Sequence, residues 1–142
     1  MTAVHEALAT MRLSTSLFFT TNCEPALAFY EQCGLGHATI LLRWGQNGMP
    51  VRTEAMRGKV LHARFEGPGV KFYASDNDDA EPMKGSALML EFDDPWAMRD
   101  LFGRMAAGGV ITVPLARQYW GSDFGMLVDA FGVQWMFSCS EG

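Results

Sequence analysis

His62, Arg64 and Glu66 alternate along one segment, so an extended backbone there puts an imidazole, a guanidinium and a carboxylate on one face. Such a face can orient a polar guest, because imidazole titrates near neutrality and guanidinium grips carboxylates in a fork. The same groups can also satisfy one another, Glu66 pairing with Arg64 and His62 bonding across a sheet. Near the C-terminus Gln134, Met136 and Ser138 form a second alternating set. They lie opposite Trp135 and Phe137, which are assigned to packing between a sheet and a helix. Trp120 offers an aromatic wall with one N–H donor. His62, Arg64, Trp120, Gln134 and Met136 are therefore the candidate binding residues.

Other chemistries lack their residues. There is no GxSxG nucleophile elbow, no glycine loop to cradle phosphate and no Ser-His-Asp order, so no catalytic residue and no cofactor is assigned. Of the three histidines, His5 falls in an N-terminal arm and His37 at a strand start, which leaves His62. Cys23, Cys33 and Cys139 form no CxxC pair and read as reduced thiols. Cys23 precedes a helix start, where a helix N-terminus can lower a thiol pKa, but nothing near it in sequence could act as its base. The run Asp76-Asn77-Asp78-Asp79 lacks the glycine and closing glutamate of a calcium loop and reads as a solvated acidic loop.

With 142 residues, 49% of them hydrophobic, the chain supports one domain with a real core. A net charge of −5 with no basic block excludes phosphate-backbone binding, so no nucleic-acid partner is expected. Apolar runs break well short of the roughly twenty residues a membrane span needs. Glu6 replaces the basic start of a signal peptide, which makes a cytoplasmic location the expectation. Ten methionines make an adaptable interior, suited to core filling, a hydrophobic guest or a subunit contact.

The elements that must position these side chains come in a repeated order. Residues 16–21 read as a strand, and Asn22 as the cap of a helix ending at Gly34-Leu35-Gly36. Strands over 37–44, 59–66 and 70–75 follow, with an irregular stretch at 45–58. The pattern restarts with a strand over 87–92, a helix over 96–107 behind Asp93-Asp94-Pro95, a strand over 110–113 and a hairpin of 125–128 with 133–138. An Asp123-Phe124-Gly125 turn precedes that hairpin. The expected fold is α+β, with two βαβββ modules over about 14–76 and 85–140. Each sheet has one face left uncovered by its helix, and two such sheets can form a cup.

Three stretches, LFFTTNCEPALAFYEQCGLG (17–36), KVLHARF (59–65) with 70–76, and YWGSDFGMLVDAFGVQWMFS (119–138), resemble the PhnB-like branch of the glyoxalase/bleomycin-resistance/dioxygenase (vicinal oxygen chelate) superfamily. Ala130 stands where that family usually has Pro, and Ser122-Asp123 where an Asp-Arg pair is common. The resemblance implies a cup-shaped mixed sheet and a homodimer with pockets near the subunit contact. Superfamily enzymes hold a divalent metal with His, Gln or Glu from the first strand of each half and the last strand of the chain. Here Thr15, Ser86 and Met136 occupy the corresponding windows, so no metal is expected. The function that follows is metal-free binding of a small, partly apolar molecule. The alternative is a metal-dependent lyase or dioxygenase of the same superfamily.

Overall fold

The computed structural model describes residues 3–140. A short helix α1 (Ala3–Leu8) leads to β1 (Ser16–Phe19), α2 (Cys23–Gln32), β2 (His37–Arg43), β3 (Val60–Gly67) and β4 (Val70–Asp76). The second half contains β5 (Leu88–Phe92), α3 (Pro95–Met105), β6 (Val110–Arg117), β7 (Ser122–Val128) and β8 (Gln134–Ser140). Each half forms a four-stranded mixed sheet, in the orders β1-β4-β3-β2 and β5-β8-β7-β6. In both, the first strand pairs in parallel with the last and every other pairing is antiparallel. The α+β class and the repeated topology agree with the sequence pattern.

Period-two alternation decides which side of each strand is buried. In β3, Ala63 and Phe65 point inward while His62, Arg64 and Glu66 point away; in β8, Trp135, Phe137 and Cys139 are buried and Gln134, Met136 and Ser138 are not. The inward sides, α2 and α3 share one hydrophobic cluster. Phe102 of α3 meets Phe137 edge-on at 5.0 Å. Trp135 meets Tyr30, which belongs to the helix of the other half, at 5.5 Å. Close crossings recur too: a Cβ on Gly36 would lie 2.2 Å from the Glu66 carbonyl oxygen, and one on Gly109 would lie 2.2 Å from that of Val128.

Element boundaries shift for identifiable reasons. β6 continues to Arg117 although Pro114 cannot donate a ladder bond, because β6 is an edge strand and its register slips between Val113 and Ala116. β7 begins at Ser122, so Asp123-Phe124-Gly125 is strand; the turn lies at Gln118–Gly121, where Gly121 has φ 92° and donates to the Gln118 carbonyl. The stretch 45–58 carries two short 3-10 turns, Gln46–Gly48 and Glu54–Met56. Arg52 pairs with Asp78 and Asp79, so the acidic loop is tied to this stretch.

Two buried carboxylates replace what the sequence suggested locally. Asn22 makes no side-chain capping bond to α2; Asp76, reaching over from the end of β4, accepts from the Cys23 and Val60 backbone N–H groups at 2.9 and 3.0 Å. Burial holds the Asp76 carboxyl above its usual range against the lowering effect of those two bonds. Asp129 is 3% exposed and accepts four bonds: from the Tyr30 hydroxyl (2.5 Å), Trp135 Nε1 (2.8 Å), and the Phe131 and Val133 N–H groups (2.8 and 3.0 Å).

Asp129→Ala orphans two buried side-chain donors and should cost about 3–5 kcal/mol, whereas Tyr30→Phe should cost about 1.5–3 kcal/mol, both read from denaturant midpoints at unchanged m-value. The Cys23 thiol is pushed up to about 12, first by burial and then by the Asp76 and Glu24 charges, and burial also raises the Tyr30 phenol. Above the ordinary thiol value of 9.0 the unfolded chain releases protons that the folded chain keeps, so stability should fall as pH rises from about 9 toward 12. Cys23→Ala should flatten that decline. At neutral pH the three cysteines, all buried, should resist a thiol reagent until denaturant is added.

Candidate functional site

β1 and β5 each pair on one side only, which leaves two free strand edges where the halves meet. Residues 77–87 connect the halves past these edges. Gln134, first residue of β8, fastens that connection: its single amide nitrogen donates to the Lys84 carbonyl at 2.7 Å and the Ser86 carbonyl at 2.9 Å. The buried Asp129 lies nearby in the turn that sets the start of β8.

Three cavities follow this junction. One of about 750 Å³ is lined by Thr15, Ser16, Arg52, Ser86 and Gln134 among others. A second, of about 670 Å³, shares Phe18, the 80–84 segment and Gln134 with it, and extends to Phe19, Val128 and Phe131. The third, about 320 Å³, is bounded by Thr15, Lys71 and Phe72 from the first half and by Leu88, Met89 and Trp135 from the second. All three therefore draw walls from both halves and compose one groove.

The outward faces flanking the groove differ in chemistry. On the first sheet, register places Arg64 between Thr39 and Tyr73, and Glu66 between His37 and Lys71. His62 stacks on Tyr73 with centroids 5.2 Å apart and planes 16° from parallel, and the Lys71 ammonium lies 5.6 Å from the centre of the same ring. On the second sheet, Met89, Met136 and Met126 stand side by side across β5, β8 and β7, next to the row Glu91, Ser138 and Phe124. Trp120 is half exposed at the β6–β7 turn, with its ring edge-on to Tyr119 and tilted against Phe124.

The five candidate residues are thus split between two faces. Gln134 lines the groove, but through an amide already committed to holding the connection. His62 and Arg64 share one face, and Arg64 Nε donates to Glu66 at 2.7 Å, so that guanidinium already has a carboxylate. Met136 and Trp120 belong to the other face, and neither they nor His62 and Arg64 line the three cavities. Lys71, Tyr73 and Met89 were missed. The signal for Tyr73 and Lys71 lies in the sequence, where they alternate with Phe72 and Ala74 along β4.

The donors where superfamily enzymes hold metal do not suit a hard divalent ion. Thr15 and Ser86 offer hydroxyls and Met136 a thioether. Glu91 is a carboxylate on β5, beyond the Ser86 window and beside Ser138. Among the described residues no three His, Cys, Asp or Glu side chains are grouped to hold a metal. His5 lies on α1 with its side chain outside the described residues. The Cys23 thiol is moved upward, opposite to a helix-terminus effect, because burial and two nearby carboxylates outweigh it.

Known proteins give the same outline. The chain is similar to protein PA1353 from Pseudomonas aeruginosa, 32% identical with a TM-score of 0.81, covering 94% of this chain and all of that one. It is also similar to a Bacillus cereus PhnB protein described as a putative 3-demethylubiquinone-9 3-methyltransferase, 24% identical with a TM-score of 0.74, over 92% of this chain and all of that one. A glyoxalase/bleomycin resistance protein/dioxygenase superfamily member from Sphaerobacter thermophilus shares the fold at 18% identity and a TM-score of 0.57, over 92% and 98% of the two chains. The family model described as 3-demethylubiquinone-9 3-methyltransferase matches residues 11–138. Two mixed four-stranded sheets and this match over most of the chain place it in that family, the PhnB-like branch of the glyoxalase/bleomycin-resistance superfamily.

Proposed function

We propose that the chain, folded as one domain, is a metal-independent binding protein for a small, partly apolar molecule held in the groove between the two halves. The observation that carries this is a cavity at the junction of the halves that is lined by Lys71 from the first and Met89 from the second. Outside the cavity, Tyr73, His62 and Arg64 continue the first sheet's outward face, and Met136 and Met126 continue the row of Met89 on the second. A guest with one polar end and one apolar end matches both. At about 320–750 Å³ the cavities fall in the range of small-molecule sites. His62, Arg64, Trp120, Gln134 and Met136 keep their proposed roles as follows: His62 and Arg64 tune the polar face, Met136 and Trp120 extend the apolar one, and Gln134 fixes the wall.

A homodimer belongs to the same proposal. Phe18, Leu41, Met89, Ile111 and Trp120 are each 41–53% exposed, and a second copy seated at the junction would cover the part of this apolar surface, Phe18 and Met89, that borders the groove. A cytoplasmic location, with the three cysteines kept as thiols, completes it. No helix among the described residues is long and apolar enough to cross a membrane.

Elemental analysis of the purified protein after a divalent-metal titration should show no stoichiometric ion. One equivalent bound in a His62-dependent way would overturn the proposal in favour of a metal-dependent lyase or dioxygenase. Sedimentation over a range of concentrations should give twice the monomer mass, and Phe18→Asp should shift it toward one chain. A monomer at every concentration would remove the dimer from the proposal.

A further inference from the structure

We infer that residues 11–14 are a strap that shuts the cavity of about 320 Å³ beside Lys71, by lengthening β1 along β4 with Lys71 as its fastener. Docking of the strap is independent of the proposed function; its consequence, competition with a guest, rests on the groove being the ligand site.

The cavity lies against unpaired backbone. β1 first meets β4 at Ser16, level with Tyr73, so residues 70–72 of β4 have no partner on that side. The Tyr73 N–H donates to the Thr15 carbonyl, and two residues back the Lys71 N–H points the same way, toward the place a docked Leu13 carbonyl would take. Across the gap stands the free edge of β5, which contributes Leu88, Met89 and Leu90 to the cavity. The segment suited to the gap is next to it. Thr15 lines the cavity, and the residues just before it are exposed, Leu13 wholly so at 100%. β1 buries Leu17 and Phe19, and alternation carried back along an extended chain puts Leu13 on that same side, level with Val70.

The second half contains the docked counterpart. The Gly36–Glu66 crossing recurs as Gly109–Val128, and Glu66 pairs with Lys71 as Val128 pairs with Gln134, so Lys71 and Gln134 hold equivalent places. Gln134 fastens the segment leading into β5 through the Lys84 and Ser86 carbonyls. Leu88 is level with Trp135 and, by the β1–β4 register, Thr15 with Phe72, so those two carbonyls correspond to Met11 and Leu13. Lys71 is likewise a donor, on a stem one atom longer. Its ammonium rests over the Tyr73 ring, 5.6 Å from the centre, while Glu66 across from it is held by Arg64 at 2.7 Å. Docking gains a buried leucine and ladder bonds and costs the order of a few residues, opposing terms of similar size, so a guest entering the cavity can displace the strap.

Amide hydrogen exchange on the intact protein, followed residue by residue by NMR and taken relative to each sequence's intrinsic rate, tests this with no ligand present. The residue 71 N–H should exchange at least about tenfold faster in Leu13→Asp than in wild type, the size expected for burying one leucine. Lys71→Ala should speed the same exchange about fivefold, the loss of one good hydrogen bond, whereas Lys71→Gln, which copies the fastener of the other half, should stay within about twofold of wild type. Wild-type exchange at the intrinsic rate would overturn the strap. So would protection that Leu13→Asp leaves unchanged in protein shown folded by circular dichroism. Protection that rises with protein concentration would overturn it too, by assigning the gap to a strand from a second copy. None of these outcomes involves a guest, so the groove as ligand site would stand if the strap fell.

Discussion

The carboxylate of Asp129 is the constraint around which the two halves are assembled. Four donors converge on it, two from the turn it starts, one from Trp135 on β8 and one from Tyr30 on α2 of the first half. A buried acceptor of this kind costs little only while its bonds are complete, and its donors are equally dependent on it. The bond from Tyr30 passes between halves, so the relative position of the sheets is set by a directional interaction as well as by apolar contact. Apolar packing alone would allow sliding, since methionines and phenylalanines tolerate repacking. Angle-dependent bonds to one buried carboxylate do not.

From that fixed seam the groove follows. Parallel pairing of β1 with β4 and of β5 with β8 turns one edge of each first strand toward the junction, and the 77–87 connection runs past both. A free edge normally invites another strand. Here the connection partly covers it, tied through two carbonyls to one glutamine amide. The side chains that flank the groove are those that alternation turns away from the core, which leaves them free to carry chemistry unrelated to folding. Their split into a cationic, aromatic face and a thioether face is a property of this chain's residues rather than of the fold.

Much of the fold was legible because its signals are local. The alternation in β3 and β8, the Asp94-Pro95 helix start and the glycines after each helix all act within a few residues, and all stand where the pattern put them; Asp94 indeed accepts from the Trp96 N–H at 2.9 Å. The departures are cases where a distant group did the local work. Asp76 caps α2 from 53 residues away, displacing Asn22, and Asp129 meets a tyrosine 99 residues back. The candidate site was less legible for the same reason. His62 and Arg64 were correctly placed on one face, and Met136 on another, but cavity walls depend on how two sheets approach. No spacing within either half encodes that Lys71 and Met89 share a cavity.

Tyr30 is the eighth residue of α2, and the eighth residue of α3 is Phe102, which has no hydroxyl to give. The turn matching Asp129 in the first half is Gly67-Pro68-Gly69, which has no carboxylate to receive one. Donor and acceptor have therefore been parcelled out between the copies, like a plug and its socket. Two first halves brought together would offer two hydroxyls and no acceptor, and two second halves two carboxylates and no phenol. Whatever symmetry the repeated topology once allowed, the halves have become complementary strangers, each able to complete the other and neither able to complete itself.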